Sequence, residues 1–281
     1  ILTWLEIVAD VGNFCKRTSG MSYEAITLER GLHGLVTITL NDPSRHNALN
    51  PMMIDELTRV ANDLGSDASV RVVVLTGAGR SFCAGGDLGW MKEQVRATSA
   101  ERVAEARKLA NMLAALANMP KPLIGRIQGQ AFGGGIGMIS VCDIAIAVDT
   151  ANFALTETRL GLIPATISPY VVGAMGKRAA QSVFLSGRRF TADEGVVLNL
   201  ITRVVGAGDL DAAIAQEVAH FAACAPNAVG AAKALLHRLD APVTQDIQDM
   251  SIQALVDTWE DPEASEGVGA FFEKRPANWV E

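Results

Sequence analysis

The sequence predicts an α/β fold with a largely parallel sheet, and three observations carry that prediction. β-rich runs alternate with amphipathic helical stretches from Met21 to about residue 205, the pattern of repeated strand–helix units. The run VRVVVLTG is continuously apolar, as a strand buried on both faces requires. Beyond Asp209 four Ala-rich amphipathic stretches follow, a helical region without strands of its own.

The elements follow in order. YEAITLER and GLVTITLN are separated by a short Gly-containing turn, a hairpin signal. NDPSRHNALN supplies turn residues, and Pro51 opens the helix PMMIDELTRVANDL, where proline suits the first turn. VRVVVLTG runs into the loop GAGRSFCAGGD, and a long helix spans about Ser99 to Asn118. PLIGRIQG reads as a strand, MISVC as a helix, CDIAIAV as a strand, and ANFALTETRLGLIP as a short strand and turn. TISPYVVGAM, KRAAQSVFLSG and TADEGVVL are helical, and LITRVV is the last strand. Residues 1–20 read as an extension ahead of a domain starting near Met21, with 21–205 as the α/β core and 206–281 as a helical region.

Composition bounds the function. The 281 residues are 49% hydrophobic and 20% charged, which fits a folded enzyme and argues against disorder. A net charge of -7 disfavours nucleic-acid or anionic-membrane partners, which need basic surface. No apolar run is long enough to span a bilayer. Cys15, Cys83, Cys142 and Cys224 form no CxxC pair, so neither a zinc site nor a disulfide framework is indicated, and a reducing, cytoplasmic compartment is the simple expectation.

Familiar motifs fail. The glycines from Gly129 to Gly137 do not fall at G-x-G-x-x-G positions, GAMGKR lacks the first glycine and the Ser/Thr of a phosphate loop, and GRSFC lacks the last glycine of a nucleophile elbow. There is no HExxH, the four histidines are scattered, and no metal site is expected.

What remains is a pair of glycine-rich turns. SFCAGGDL and AFGGGIGM each follow a buried strand and lead into a helix. Such turns aim backbone N–H groups into a cleft, and the following helix adds its positive end. Two side by side would make an oxyanion hole; close helix–sheet packing alone is the competing reading.

These segments carry a resemblance. SFCAGGDL, GQAFGGGIGMISVCDIAIA and FALTETRLGLIP, in this order and spacing, resemble the crotonase superfamily of enoyl-CoA hydratases and isomerases. NDPSRHNALN resembles its early CoA-binding loop and EGVGAFFEKRPANW its C-terminus. The resemblance implies a spiral of ββα units, a C-terminal helical trimerisation region, a homotrimer or dimer of trimers, and acyl-CoA substrates. No separate cofactor is implied, since CoA is part of the substrate. By motif position the oxyanion donors would be the N–H groups of Ala84 and Gly134. Gly85, Gly86 and Asp87 would line the same loop, with Asp87 suited to cap the next helix. Arg45, His46 and Ala48 match the loop that contacts CoA, and Phe271 and Lys274 match C-terminal positions that reach CoA across a subunit boundary.

Glu157 matches one of the family's two catalytic glutamates; as a bare sequence feature it would stabilise the first turn of a helix. Desolvation beside an apolar acyl pocket would raise its pKa toward neutrality. The other glutamate belongs in a G-G-G-x-E pattern, and Gly137 stands in its place, leaving that volume open to water or a branched acyl chain. FALTETRLGLIPATISPYVVGAMGKRAA looks most like bacterial hydratases of the 3-methylglutaconyl-CoA type, with Arg159 as a partner for a distal carboxylate or a surface residue. The expectation is therefore an enoyl-CoA hydratase using one glutamate. A Δ3-Δ2 enoyl-CoA isomerase and a non-catalytic acyl-CoA-binding member are the alternatives.

Overall fold

The computed structural model describes residues 23–239, 244–260 and 262–277. The expected extension over residues 1–20, with Cys15, lies outside them. The strands are β1 (Ile26–Arg30), β2 (Leu35–Leu40), β3 (Val72–Gly77), β4 (Ser81–Cys83), β5 (Leu123–Ile127), β6 (Gln130–Phe132), β7 (Ile144–Val148), β8 (Asn152–Ala154), β9 (Arg189–Thr191) and β10 (Arg203–Val205). They form a six-stranded sheet in the order β1-β2-β3-β5-β7-β10 and a four-stranded sheet in the order β4-β6-β8-β9. Pairing is parallel except in the β1–β2 hairpin and between β8 and β9.

Between and beyond the strands lie α1 (Pro51–Ser66), α2 (Leu88–Arg96), α3 (Ser99–Asn118), α4 (Gly134–Ser140), α5 (Ser168–Met175), α6 (Lys177–Phe184) and α7 (Ala192–Val197). The C-terminal region contributes α8 (Leu210–Ala222), α9 (Pro226–Leu239), α10 (Gln245–Glu260) and α11 (Pro262–Glu273). The chain repeatedly leaves a strand of the larger sheet, adds a short strand to the smaller one, and turns into a helix. Thus β3–β4 leads to α2 and β5–β6 to α4, while β7–β8 leads to a short 3-10 helix, Glu157–Leu160. This is the expected spiral of ββα units.

Local sequence explains the main elements. Every residue of β3 is buried, in keeping with its unbroken apolar run. α1 starts with Pro51 behind an Asn50 cap that accepts from the Met53 N–H, and buries Met53, Leu57, Val60 and Leu64 on one stripe. Each such buried side chain contributes about 1.5–3 kcal/mol. α3 opens with a reciprocal capping box between Thr98 and Glu101. The buried Glu56 carboxylate accepts from the N–H groups of Glu24 and Ala25, each at 2.9 Å, which anchors the first hairpin to α1.

The sequence reading and the structure differ at the short strands. β4 and β6 fall in segments read as loop, and β9 in a helix–helix connection. Three residues are too few to show a period-two pattern. The helix read as MISVC instead begins at Gly134, inside the glycine triplet.

Candidate active site

The smaller sheet explains why the two glycine turns meet. Parallel pairing sets Ser81 beside Gln130 and Cys83 beside Ala131, then Ala131 beside Phe153 and Phe132 beside Ala154. The carboxyl ends of β4, β6 and β8 are therefore neighbours, the usual place for a site in parallel α/β architecture. Turn 84–87 leaves β4, turn 133–137 leaves β6, and Glu157 follows β8 by three residues. The turns touch: a Cβ on Gly85 would lie 3.1 Å from the Phe132 carbonyl oxygen and 3.9 Å from Gly133 Cα. Gly85 (φ +90°) and Gly133 (φ +47°) both need the left-handed half of backbone space.

The segment 45–49 is stitched to the first turn. Leu49 N–H donates to the Gly85 carbonyl at 2.7 Å and Asp87 N–H to the Leu49 carbonyl at 2.9 Å. Asp87 caps α2 by accepting from the N–H groups of Gly89 and Trp90, the structural role its position suggested. Arg45 bridges to Asp42 at 2.7 Å and to Asp87 at 3.5 Å. His46 Nδ1 lies 2.9 Å from Ser81 Oγ, and its Nε2 lies 3.2 Å from Arg80 Nη2. Ala48 is buried at the edge of this turn.

One expected donor needs correction. The Ala84 N–H is already given to the His46 carbonyl at 3.0 Å, so Ala84 has no N–H to offer a ligand. Two residues along, the Gly86 N–H donates to no acceptor among the described residues, and neither does that of Gly134. Both glycines line one cavity of about 130 Å³. Two larger hollows, of about 430 and 350 Å³, lie away from both turns and from Glu157.

Glu157 lines the same cavity. A Cβ on Gly133 would stand 2.9 Å from Glu157 Oε1, so the carboxylate occupies the corner that a side chain there would fill. Oε2 is shielded from solvent and has no hydrogen-bond partner among the described residues. Burial pushes the pKa up to about 7, against a smaller lowering by its own backbone N–H. A carboxyl group titrating there can both accept and return a proton near neutral pH.

The remaining wall is apolar apart from the Thr166 hydroxyl. Leu49, Ile54, Met91, Leu109 and Leu162–Ile167 contribute, and α10 adds Leu255 and Trp259. Buried Arg102 holds α10 in place. It donates to the Gln94 carbonyl at 3.0 Å and to Glu260 Oε1 at 2.7 Å, and stacks 5.5 Å from the Trp259 ring. The motifs give no sign of Thr166, Ile167, Leu255 and Trp259, because tertiary packing alone brings them to the cavity.

A second correction concerns Gly137. Its missing side chain leaves no open volume: a Cβ there would lie 2.6 Å from Ile167 Cγ2 and 3.0 Å from Ile167 Cβ. Gly137 is buried and does not line the cavity, whereas Ile167 does. Arg159 is exposed outside the cavity. Within its own chain neither Phe271 nor Lys274 lines the cavity; Phe271 is half exposed and stacks edge-on against Phe272.

The family model for enoyl-CoA hydratase/isomerase matches residues 30–281. The chain belongs to the enoyl-CoA hydratase/isomerase family. A Thermus thermophilus relative described as an enoyl-CoA hydratase is 33% identical over 256 residues, 89% of this chain and 98% of its own. Among solved structures, an enoyl-CoA hydratase from Mycobacterium avium superposes with a TM-score of 0.81 at 32% identity, covering 92% of this chain and 100% of that one. One from Shewanella pealeana gives 0.75 at 34%, covering 99% and 100%. As a hydratase/isomerase family member the chain has the crotonase fold, and no helix among its described residues is long and apolar enough to cross a membrane.

Proposed function

We propose that the chain adds water across the double bond of an enoyl-CoA thioester, with Glu157 as the single carboxylate that moves the proton. The observation that carries this is one cavity holding two N–H donors uncommitted among the described residues, on Gly86 and Gly134, and one desolvated carboxylate whose Oε2 has no partner there. The thioester oxygen would accept from both N–H groups, which stabilise the enolate as it forms. Water oxygen adds to the β-carbon while its proton passes to Glu157. The double-bond electrons move onto the thioester oxygen, and protonated Glu157 then gives the proton to the α-carbon. The balance is one H and one OH added, with no second acid required.

The same two groups would also suffice for a proton shuttle between α- and γ-carbons, the isomerase reading. Hydration is favoured by the name shared by the relatives. Arg45, His46 and Ala48, on the segment stitched to the first turn, would meet the CoA moiety. Gly85, Gly86 and Asp87 form the turn itself, and Phe271 and Lys274 would act only across a subunit boundary.

The 3-methylglutaconyl-type acyl group is supported by sequence resemblance. The cavity lining, which holds no cationic side chain among the described residues, favours a short or branched uncharged acyl group instead. Exposed Leu235, Leu236, Met250 and Phe271 on the C-terminal helices support a trimer or dimer of trimers, which light scattering would test. Turnover in ¹⁸O-labelled water over linear, branched and carboxylated enoyl-CoAs tests the function. Label in the product is the expected result, and a shifted double bond without label would overturn hydration in favour of isomerisation.

A further inference from the structure

We propose that the Thr166 hydroxyl positions the water that adds to the double bond, an inference that rests on the hydratase reading above. Among the described residues, four buried side-chain polar atoms have no hydrogen-bond partner: Arg107 Nη1, Arg203 Nε, Glu157 Oε2 and Thr166 Oγ1. The last two belong to residues lining the same cavity. Thr166 is only 5% exposed. Leaving a buried hydroxyl unpaired costs stability that an isosteric valine would not, and folded proteins rarely do so without a functional reason.

The surroundings give the reason. Among the described lining residues, Glu157 carries the only carboxyl group and Thr166 the only hydroxyl. Ile167, the next residue, fills the space in front of Gly137 with its Cβ and Cγ2, so no carboxylate can act from that side. A cavity of about 130 Å³ greatly exceeds the roughly 10–15 Å³ that one water needs. Water bound there without a second partner would be held by Glu157 alone and free to turn. A hydroxyl donates and accepts at once and does not ionise in this pH range, so it can orient water without competing for its proton. During addition the water oxygen bonds to the β-carbon, its proton goes to Glu157 and from there to the α-carbon. Thr166 keeps its own proton throughout.

The test compares Thr166→Val and Thr166→Ser with the wild type in two reactions. One is hydration of an enoyl-CoA; the other is exchange of the α-proton of the matching saturated acyl-CoA with D₂O, which needs Glu157 and the N–H donors but no added water. Thr166→Val should lower the hydration kcat about 10- to 100-fold, the share of one well-placed hydrogen bond. KM, α-proton exchange and Tm should stay at or above wild-type quality, and Thr166→Ser should recover hydration to within a few-fold. Equal hydration in Thr166→Val, or a parallel loss of hydration and exchange, would overturn the proposal. A fall in Tm would do the same, since it would give the hydroxyl a structural partner. If the wild type exchanges α-protons but adds no water, the hydratase reading itself fails, a result distinct from failure of the valine variant alone.

Discussion

The cavity has two unlike walls. One is made of backbone: the turns at 84–87 and 133–137, whose N–H groups at Gly86 and Gly134 are uncommitted among the described residues. The other is made of side chains, with Glu157, Thr166 and Ile167 set in apolar surroundings. The backbone wall is fixed by local rules, since Gly85 and Gly133 sit at positive φ and a short parallel ladder aligns their strands. The side-chain wall depends on contacts between distant segments, such as Ile167 against Gly137. A donor array can therefore be preserved by glycine spacing alone, whereas the chemistry opposite it can change through one packing contact.

The largest effect should come from breaking the backbone wall. Gly134→Pro and Gly134→Ala both place a Cβ against Leu49 Cδ1, but only proline removes the N–H. The kcat of the proline variant should fall about 10²–10³-fold below that of the alanine variant. Equal rates would remove Gly134 from the donor pair.

The two walls meet at Gly137. Gly137→Glu forces its Cβ into the branched body of Ile167, and overpacking of this kind costs about 1–3 kcal/mol. Thermal denaturation should show that loss. An undiminished Tm in this variant would mean that the space is open after all.

The side-chain wall should also be visible in stability. Folding raises the Glu157 pKa from 4.5 to about 7, so the folded state holds the proton more tightly than the unfolded state. The protonated form is the stable one, and stability falls as pH rises from about 4.5 through 7. Glu157→Gln carries no charge and should be stabilised relative to wild type at pH 8, by an amount on the order of 3 kcal/mol. The gap should close near pH 4. A pH-independent difference in denaturant midpoint would contradict burial of the carboxylate.

The smallest effect is expected at Gly86. A Cβ there meets Trp90 and Met91 at ordinary contact distances of 3.6 to 3.8 Å and leaves the N–H in place. Gly86→Ala should keep kcat within a few-fold, and a drop like that of Gly134→Pro would show that the turn tolerates no side chain.

How much of this the sequence discloses follows the same division. The β3 run, the Pro51 and Thr98 helix starts, the hairpin and both glycine turns have local signatures, as does Glu157 through its motif. Motif position points to Ala84 rather than Gly86, because which N–H of a turn is already used depends on the His46 carbonyl, 38 residues upstream of Ala84 in sequence. At Gly137 the reason is related: a glycine signals a missing side chain, not which neighbour occupies its place. Thr166 carried no signal, since an unpartnered hydroxyl is defined only by its surroundings.

If one desolvated carboxylate does the proton transfer, its titration must govern the pH dependence of kcat/KM. For the wild type, hydration measured from pH 5 to 9 should rise tenfold per pH unit at the acid end and level off above an inflection near 7, as Glu157 ionises. Glu157→Gln should lie about 10²–10⁴-fold lower, with no inflection near 7. A Glu157→Gln profile with the same rate and the same inflection as wild type would contradict the account.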